Sequence, residues 1–143
     1  MPRGGHACLT KLETAVCEEM GRQGLDHEHR SLRFRVRGSR GRASKYAPAI
    51  VARRGPILFL VEPVAGARRG GIGRLAGFLE QHSPELVLVV VAPDASLDAI
   101  PREAYDEIYP ASEIPRAIAR IREQDPDGIV LPFEKGRDRD TAK

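Results

Sequence analysis

The sequence predicts a mixed α/β domain, and three observations point there. Residues 31–37, Ser-Leu-Arg-Phe-Arg-Val-Arg, alternate strictly between polar and apolar, which is the period of a strand with one covered face. Residues 86–93, Leu-Val-Leu-Val-Val-Val-Ala-Pro, are almost continuously apolar, as in a strand covered on both faces. Leu9, Leu12, Val16 and Met20 recur at helical spacing near the start, and Ile114, Ile118 and Ile121 do so near the end. At 143 residues the chain has the length of one domain with its own core, expected over residues 1–133, followed by a charged, disordered tail over 134–143.

Taken in order, residues 8–24 read as an amphipathic helix stopped at Gly24. The alternating strand 31–37 puts Leu32, Phe34 and Val36 on one face and Arg33, Arg35 and Arg37 on the other, the arginines about 6.7 Å apart. Residues 38–45, with Arg40, Arg42 and Lys45, read as a flexible basic turn. Residues 46–64 form two apolar strands joined at Arg53-Arg54-Gly55-Pro56. Residues 65–73 read as a pliable loop carrying Arg68 and Arg69. It leads into a helix with Leu75, Phe78 and Leu79 inside. Gly71-Ile-Gly73 is only a fragment of a dinucleotide fingerprint, because Ala76 stands where the third glycine belongs. After the buried strand come a short helical stretch at 97–104, a short edge strand at 107–109 and a helix over 112–123. Ser112 is the expected cap of that helix. Residues 128–133 add a strand or a packed arm.

No stretch is apolar enough for a membrane span or a secretory leader, so the chain reads as soluble and cytoplasmic. Asn is absent and Arg outnumbers Lys by 19 to 4, a bias expected of a thermophile or of a GC-rich genome. The net charge of +3 conceals a segregation. Residues 30–74 hold twelve Lys/Arg against one acid, Glu62, whereas the remainder holds eleven basic against nineteen acidic residues. A basic block of this kind calls for an anionic partner, of which nucleic acid is the commonest. Cys8 and Cys17 lie nine apart in the first helix, too distant to bridge each other if both are helical, and read as free thiols. His6, His27 and His29 form no CxxC or HxxxH pair with them, so no metal centre is expected there.

The strands at 46–64 carry the sharper signal. Positions 62 and 64 share one strand face, where an acid and a lysine two residues on could serve one metal-bound phosphate. With Pro48-Ala49 on the preceding strand and Glu62-Pro63-Val64 here, the hairpin resembles a worn copy of the PD-(D/E)XK nuclease signature. That superfamily carries an Asp at the position of Ala49, an acid at Glu62 and a Lys at Val64, so one site residue of three remains. The resemblance spans roughly residues 9–123 and is nearest the small archaeal Holliday-junction-resolvase and RecB-like branch.

The resemblance implies a restriction-endonuclease-like αβββαβ core, with a mixed central sheet and helices on its faces. It also implies a first-helix acid facing the site, a place matched by Glu13, although the helical pattern alone reads Glu13 as a solvated acid. The expected function is that of a non-catalytic, pseudo-nuclease protein. It would bind DNA or structured RNA through phosphates, using Arg33, Arg35, Arg37, Arg40, Arg42, Lys45, Arg53, Arg54, Arg68 and Arg69, alone, as a homodimer or beside an active nuclease. No cofactor is expected, and Tyr46 is the nearby candidate for stacking on a base. Two alternatives stay open. One is an active Mg²⁺- or Mn²⁺-dependent endonuclease with Glu13 and Glu62 as relocated ligands and Lys45 or an arginine replacing the lost lysine. The other is an oligomerisation module whose arginines meet an acidic protein surface.

Overall fold

The computed structural model describes residues 8–37, 43–64, 69–81 and 86–124. Its centre is a five-stranded mixed sheet ordered β1 (Glu28–His29), β4 (Ile50–Arg54), β5 (Ile57–Pro63), β6 (Leu86–Ala92) and β7 (Glu107–Pro110). The β1–β4 and β4–β5 pairs are antiparallel, and the β5–β6 and β6–β7 pairs are parallel. Gly55, at φ 60°, turns the chain between β4 and β5 in a conformation that glycine adopts without steric cost. Strand β6 is buried from Val87 to Ala92, as its unbroken apolar run requires of an interior strand.

Side-chain alternation divides the core between two faces. On one face, Ile50, Phe59, Val61, Val87, Val89 and Val91 meet Val16 and Met20 of α1 (Lys11–Arg22) and Ile114, Ile118 and Ile121 of α3 (Ile114–Arg122). On the other, Val51, Leu60, Leu88 and Val90 meet Leu75 and Phe78 of α2 (Arg69–Gln81).

That second face also receives a separate two-stranded antiparallel ribbon, β2 (Phe34–Arg37) with β3 (Ala43–Tyr46). Phe34 and Tyr46 each meet Phe78 edge-on, at 4.9 and 5.0 Å between ring centroids. This corrects the expectation that the strand at 31–37 joins the two strands at 46–64 in the central sheet of the αβββαβ core. The alternating strand is real, but its apolar face covers α2 instead of extending the main sheet, and the edge beside β4 belongs to the two-residue β1.

Two further expectations change. The glycine-containing stretch Arg69–Gly73 is the first turn and more of α2, not a loop. Ser112 does not cap α3, because its amide and hydroxyl both bond Asp94, at 3.1 and 2.5 Å, and the cap position falls on Glu113. No helix among the described residues is long and apolar enough to cross a membrane. The expected strand or arm at 128–133 and the tail at 134–143 lie outside the described residues.

Candidate functional site

Two acids lie near the ends of β1, β4 and β5, and each is held differently. Glu62 follows Leu60 on its strand face, so it points to the α2 side, as does Val64, which packs against that core. Glu62 Oε1 accepts the Tyr46 hydroxyl at 2.8 Å and the Ala49 amide at 3.2 Å. No bond to Oε2 occurs among the described residues. Burial pushes the Glu62 carboxyl above the ordinary carboxylate range, and the nearby charge of Glu13 pushes the same way. The two hydrogen bonds and the positive charge of Arg74 oppose them. Burial, and then Glu62 itself, push the Tyr46 phenol well above its ordinary value. Tyr46 is therefore not a base-stacking residue. It is 4 % exposed and its hydroxyl is committed to Glu62.

Glu13 is not a solvated acid. It is 2 % exposed, and its position follows from how α1 begins. Thr10 caps the helix by accepting the Glu13 amide at 3.0 Å, and Glu13 Oε1 reaches back to the Leu9 amide at 3.1 Å, a variant of the reciprocal capping box. The same carboxylate takes the Arg30 guanidinium through both oxygens, at 3.2 and 2.9 Å, and His29 Nδ1 on Oε2 at 2.7 Å. Four donors fill the roughly four acceptor positions of a carboxylate. Burial alone would raise this group, but Arg30, His29 and the Leu9 amide outweigh it and hold Glu13 below the ordinary range.

Arg30 reaches this place through a left-handed backbone, φ 50°, which for a residue with a side chain costs about 1–2 kcal/mol. Its amide donates to the Ala49 carbonyl at 3.1 Å, while the Ala49 amide donates to Glu62. The Ala49 peptide thus stands between the two acids. Ala49 itself is buried, and neither its methyl nor the Val64 side chain can ligate a cation or donate a hydrogen bond.

Of the expected basic residues, Arg33, Arg35, Lys45 and Arg53 are exposed. Arg35 faces Lys45 directly across the β2–β3 ribbon, and none of these four forms an ion pair with an acid among the described residues. Arg54 departs from the set, because it is half-buried and turns to the opposite layer, where it meets the Gln124 carbonyl at 3.4 Å. Arg37 lies on β2 and Arg69 opens α2, while Arg40, Arg42 and Arg68 lie outside the described residues. The sequence does not place His29 and Arg30 beside Glu13, or Arg74 near Glu62, because these partners come from other elements. The one local signal for His29 and Arg30 is the charged run Asp26-His-Glu-His-Arg30 ahead of the alternating strand.

A further group sits beside Glu13. Cys8 precedes α1 instead of belonging to it, so the helical-rise argument that kept the two cysteines apart does not apply. Donor atoms of Cys8, Cys17 and His29 lie within 4.8 Å of one another, and His27 Nε2 is 3.2 Å from the Cys17 sulfur. Neither cysteine is in a disulfide. Burial first, then Cys8 and the charges of Glu13 and Glu18, push the Cys17 thiol up to about 11. Comparison of the chain with known protein families, with curated proteins and with solved structures finds no match.

Proposed function

We propose that the protein is a non-catalytic nucleic-acid-binding protein of the PD-(D/E)XK type, built on a restriction-endonuclease-like arrangement. It contacts phosphates through Arg33, Arg35, Lys45 and Arg53. The observation that carries this reading is the exposed Arg35–Lys45 pair. Like charges directly opposite each other on a sheet destabilise it, and these two have no acid among the described residues to offset them, so an anion laid along the ribbon relieves a repulsion already present. DNA or structured RNA supplies such an anion as a regular row of phosphates.

The absence of cleavage in this reading rests on the two acids. A hydrolytic Mg²⁺ centre needs one or two available carboxylates and a nearby cation or proton donor. Ala49 and Val64 offer neither. Glu13, the relocated ligand that an active enzyme would need, already accepts four hydrogen bonds and would have to exchange Arg30 for the metal. Mg²⁺ or Mn²⁺ has a place only in the active alternative, with Glu13 and Glu62 as relocated ligands and Lys45 or an arginine as the displaced cation.

The test is a duplex or branched-junction cleavage assay with Mg²⁺ and Mn²⁺, beside a binding measurement on the same preparation. Binding without cleavage is expected. Ala49→Asp should raise divalent-metal affinity, and Val64→Lys should act on the chemical step, where a placed charge contributes roughly 10²- to 10⁴-fold. Cleavage by the wild type that disappears in Glu62→Ala would establish the active enzyme instead.

A further inference from the structure

We propose that Cys8, Cys17, His27 and His29 form a structural zinc site that fastens the segment before α1 to the segment leading into β1. Three donor atoms, from Cys8, Cys17 and His29, already lie within 4.8 Å of one another, and His27 Nε2 stands 3.2 Å from the Cys17 sulfur. Donor atoms around a tetrahedral zinc, with Zn–S near 2.3 Å and Zn–N near 2.0–2.1 Å, lie roughly 3.3–3.8 Å apart. A contraction of about 1 Å therefore brings the widest separation among Cys8, Cys17 and His29 to the required value, and Cys8, in the stretch before α1, is placed to make it; His27, outside that trio, joins through its approach to the Cys17 sulfur.

The orientation of the two imidazoles is a second, independent observation. His29 Nδ1 is held by Glu13 Oε2 at 2.7 Å, and His27 Nδ1 by the Leu25 carbonyl at 3.0 Å. An oxygen acceptor at Nδ1 requires Nδ1–H as the donor, so in the neutral ring Nε2 bears the lone pair. Metal-ligating histidines are oriented in this way, with the second nitrogen donating to a carboxylate or a backbone carbonyl. The chain's local geometry produces the arrangement. Glu13 and Cys17 are one helical turn apart on the same face of α1, and His27 and His29 are two apart in extended chain, so both rings point to one side.

Two thiolates, two neutral imidazoles and Zn²⁺ make an uncharged, four-coordinate centre with no open position, which suits a structural role and not a catalytic one. Thiolate ligands select zinc over Mg²⁺, Ca²⁺ and Mn²⁺. Loading is balanced by the release of the two thiol protons to solvent, with no change of oxidation state.

The full chain, reduced and stripped of metal, is titrated with Co²⁺ and then Zn²⁺. One equivalent of Co²⁺ should give the intense visible bands of a tetrahedral ion together with thiolate charge transfer, and one equivalent of Zn²⁺ should abolish them. Cys8→Ser, which lies outside α1, should remove the charge-transfer intensity of one sulfur and weaken binding at least hundredfold. His27→Ala should weaken it similarly, and Lys11→Ala should leave it unchanged. Zinc should raise the melting temperature of the wild type and not of Cys8→Ser. The proposal is overturned by a pale octahedral spectrum, by no stoichiometric binding, by binding that Cys8→Ser leaves intact, or by a native mass short of two hydrogens, which would mark a Cys8–Cys17 disulfide.

Discussion

Arg30 is the residue on which the acid end of the sheet depends. It holds a buried carboxylate on α1 and it bonds the main chain at Ala49, and it does both from a left-handed backbone. Arg30→Ala leaves Glu13 buried with half its donors gone, a loss on the order of 2–4 kcal/mol. Arg30→Gly loses the same ion pair but adopts φ 50° freely, so it should be about 1 kcal/mol more stable than Arg30→Ala in urea denaturation. The two acids should also titrate with opposite sign. Glu62 is raised, so the native state holds that proton more tightly than the unfolded chain does. Its contribution is present below the ordinary carboxylate value near 4.3 and is lost as pH rises through the raised value. Glu13 is lowered, and its contribution is present above about 4.3 and is lost as pH falls through the lowered value. Glu62→Gln keeps an oxygen for Tyr46 and Ala49 without the buried charge. Denaturation midpoints should therefore shift in favour of the Gln variant as pH rises from about 4.3 through the raised value, whereas a pH-independent difference would remove the assigned role of burial.

At the scale of elements, the β2–β3 ribbon separates binding from stability. Lys45→Glu turns the like-charged pair with Arg35 into an ion pair, which should raise stability by about 0.2–1 kcal/mol while weakening duplex binding. A variant that binds duplex as well as the wild type would take the ribbon out of the interface. Tyr46→Phe should loosen the ribbon from β5 by about 1–3 kcal/mol, since it removes the hydroxyl bound to Glu62, and chemical denaturation reads that loss. These elements were unequally legible in the sequence. Strands β4, β5 and β6 announce themselves because continuous apolar stretches are buried in the sheet, and the helices α1 and α3 because apolar residues recur at helical spacing on one buried face. Strand β2 announces its alternation but not its partner, because period two says that one face is covered and is silent on whether a sheet or a helix covers it. Strand β1 is two residues of Glu and His and carries no periodic signal. The burial of Glu13 was hidden for a related reason: its partners, His29 and Arg30, lie sixteen and seventeen residues away on another element. For the cysteines the helix boundary decides. Placing Cys8 inside α1 separates it from Cys17, whereas the helix begins at Lys11 and Cys8 approaches Cys17 across its capping turn.

For the molecule as a whole, a mixed sheet carries helices on both faces, and among the described residues Arg33, Arg35, Lys45 and Arg53, on or beside the ribbon and on β4, are exposed without an acid partner. Its two central acids are engaged by protein donors. The proposal of phosphate binding without cleavage rests on that charge distribution, and fluorescence anisotropy of a labelled duplex across a salt series tests it most directly. For the wild type, log affinity should fall linearly with log salt concentration, with no loss of duplex length when Mg²⁺ is present. Replacing Arg33, Arg35 and Lys45 together by Ala should reduce the magnitude of that slope by about 2–3, at about 0.9 per phosphate contact, while leaving the melting temperature nearly unchanged. Absence of binding at roughly 50 mM salt, or a slope that the triple replacement leaves unaltered, would contradict it.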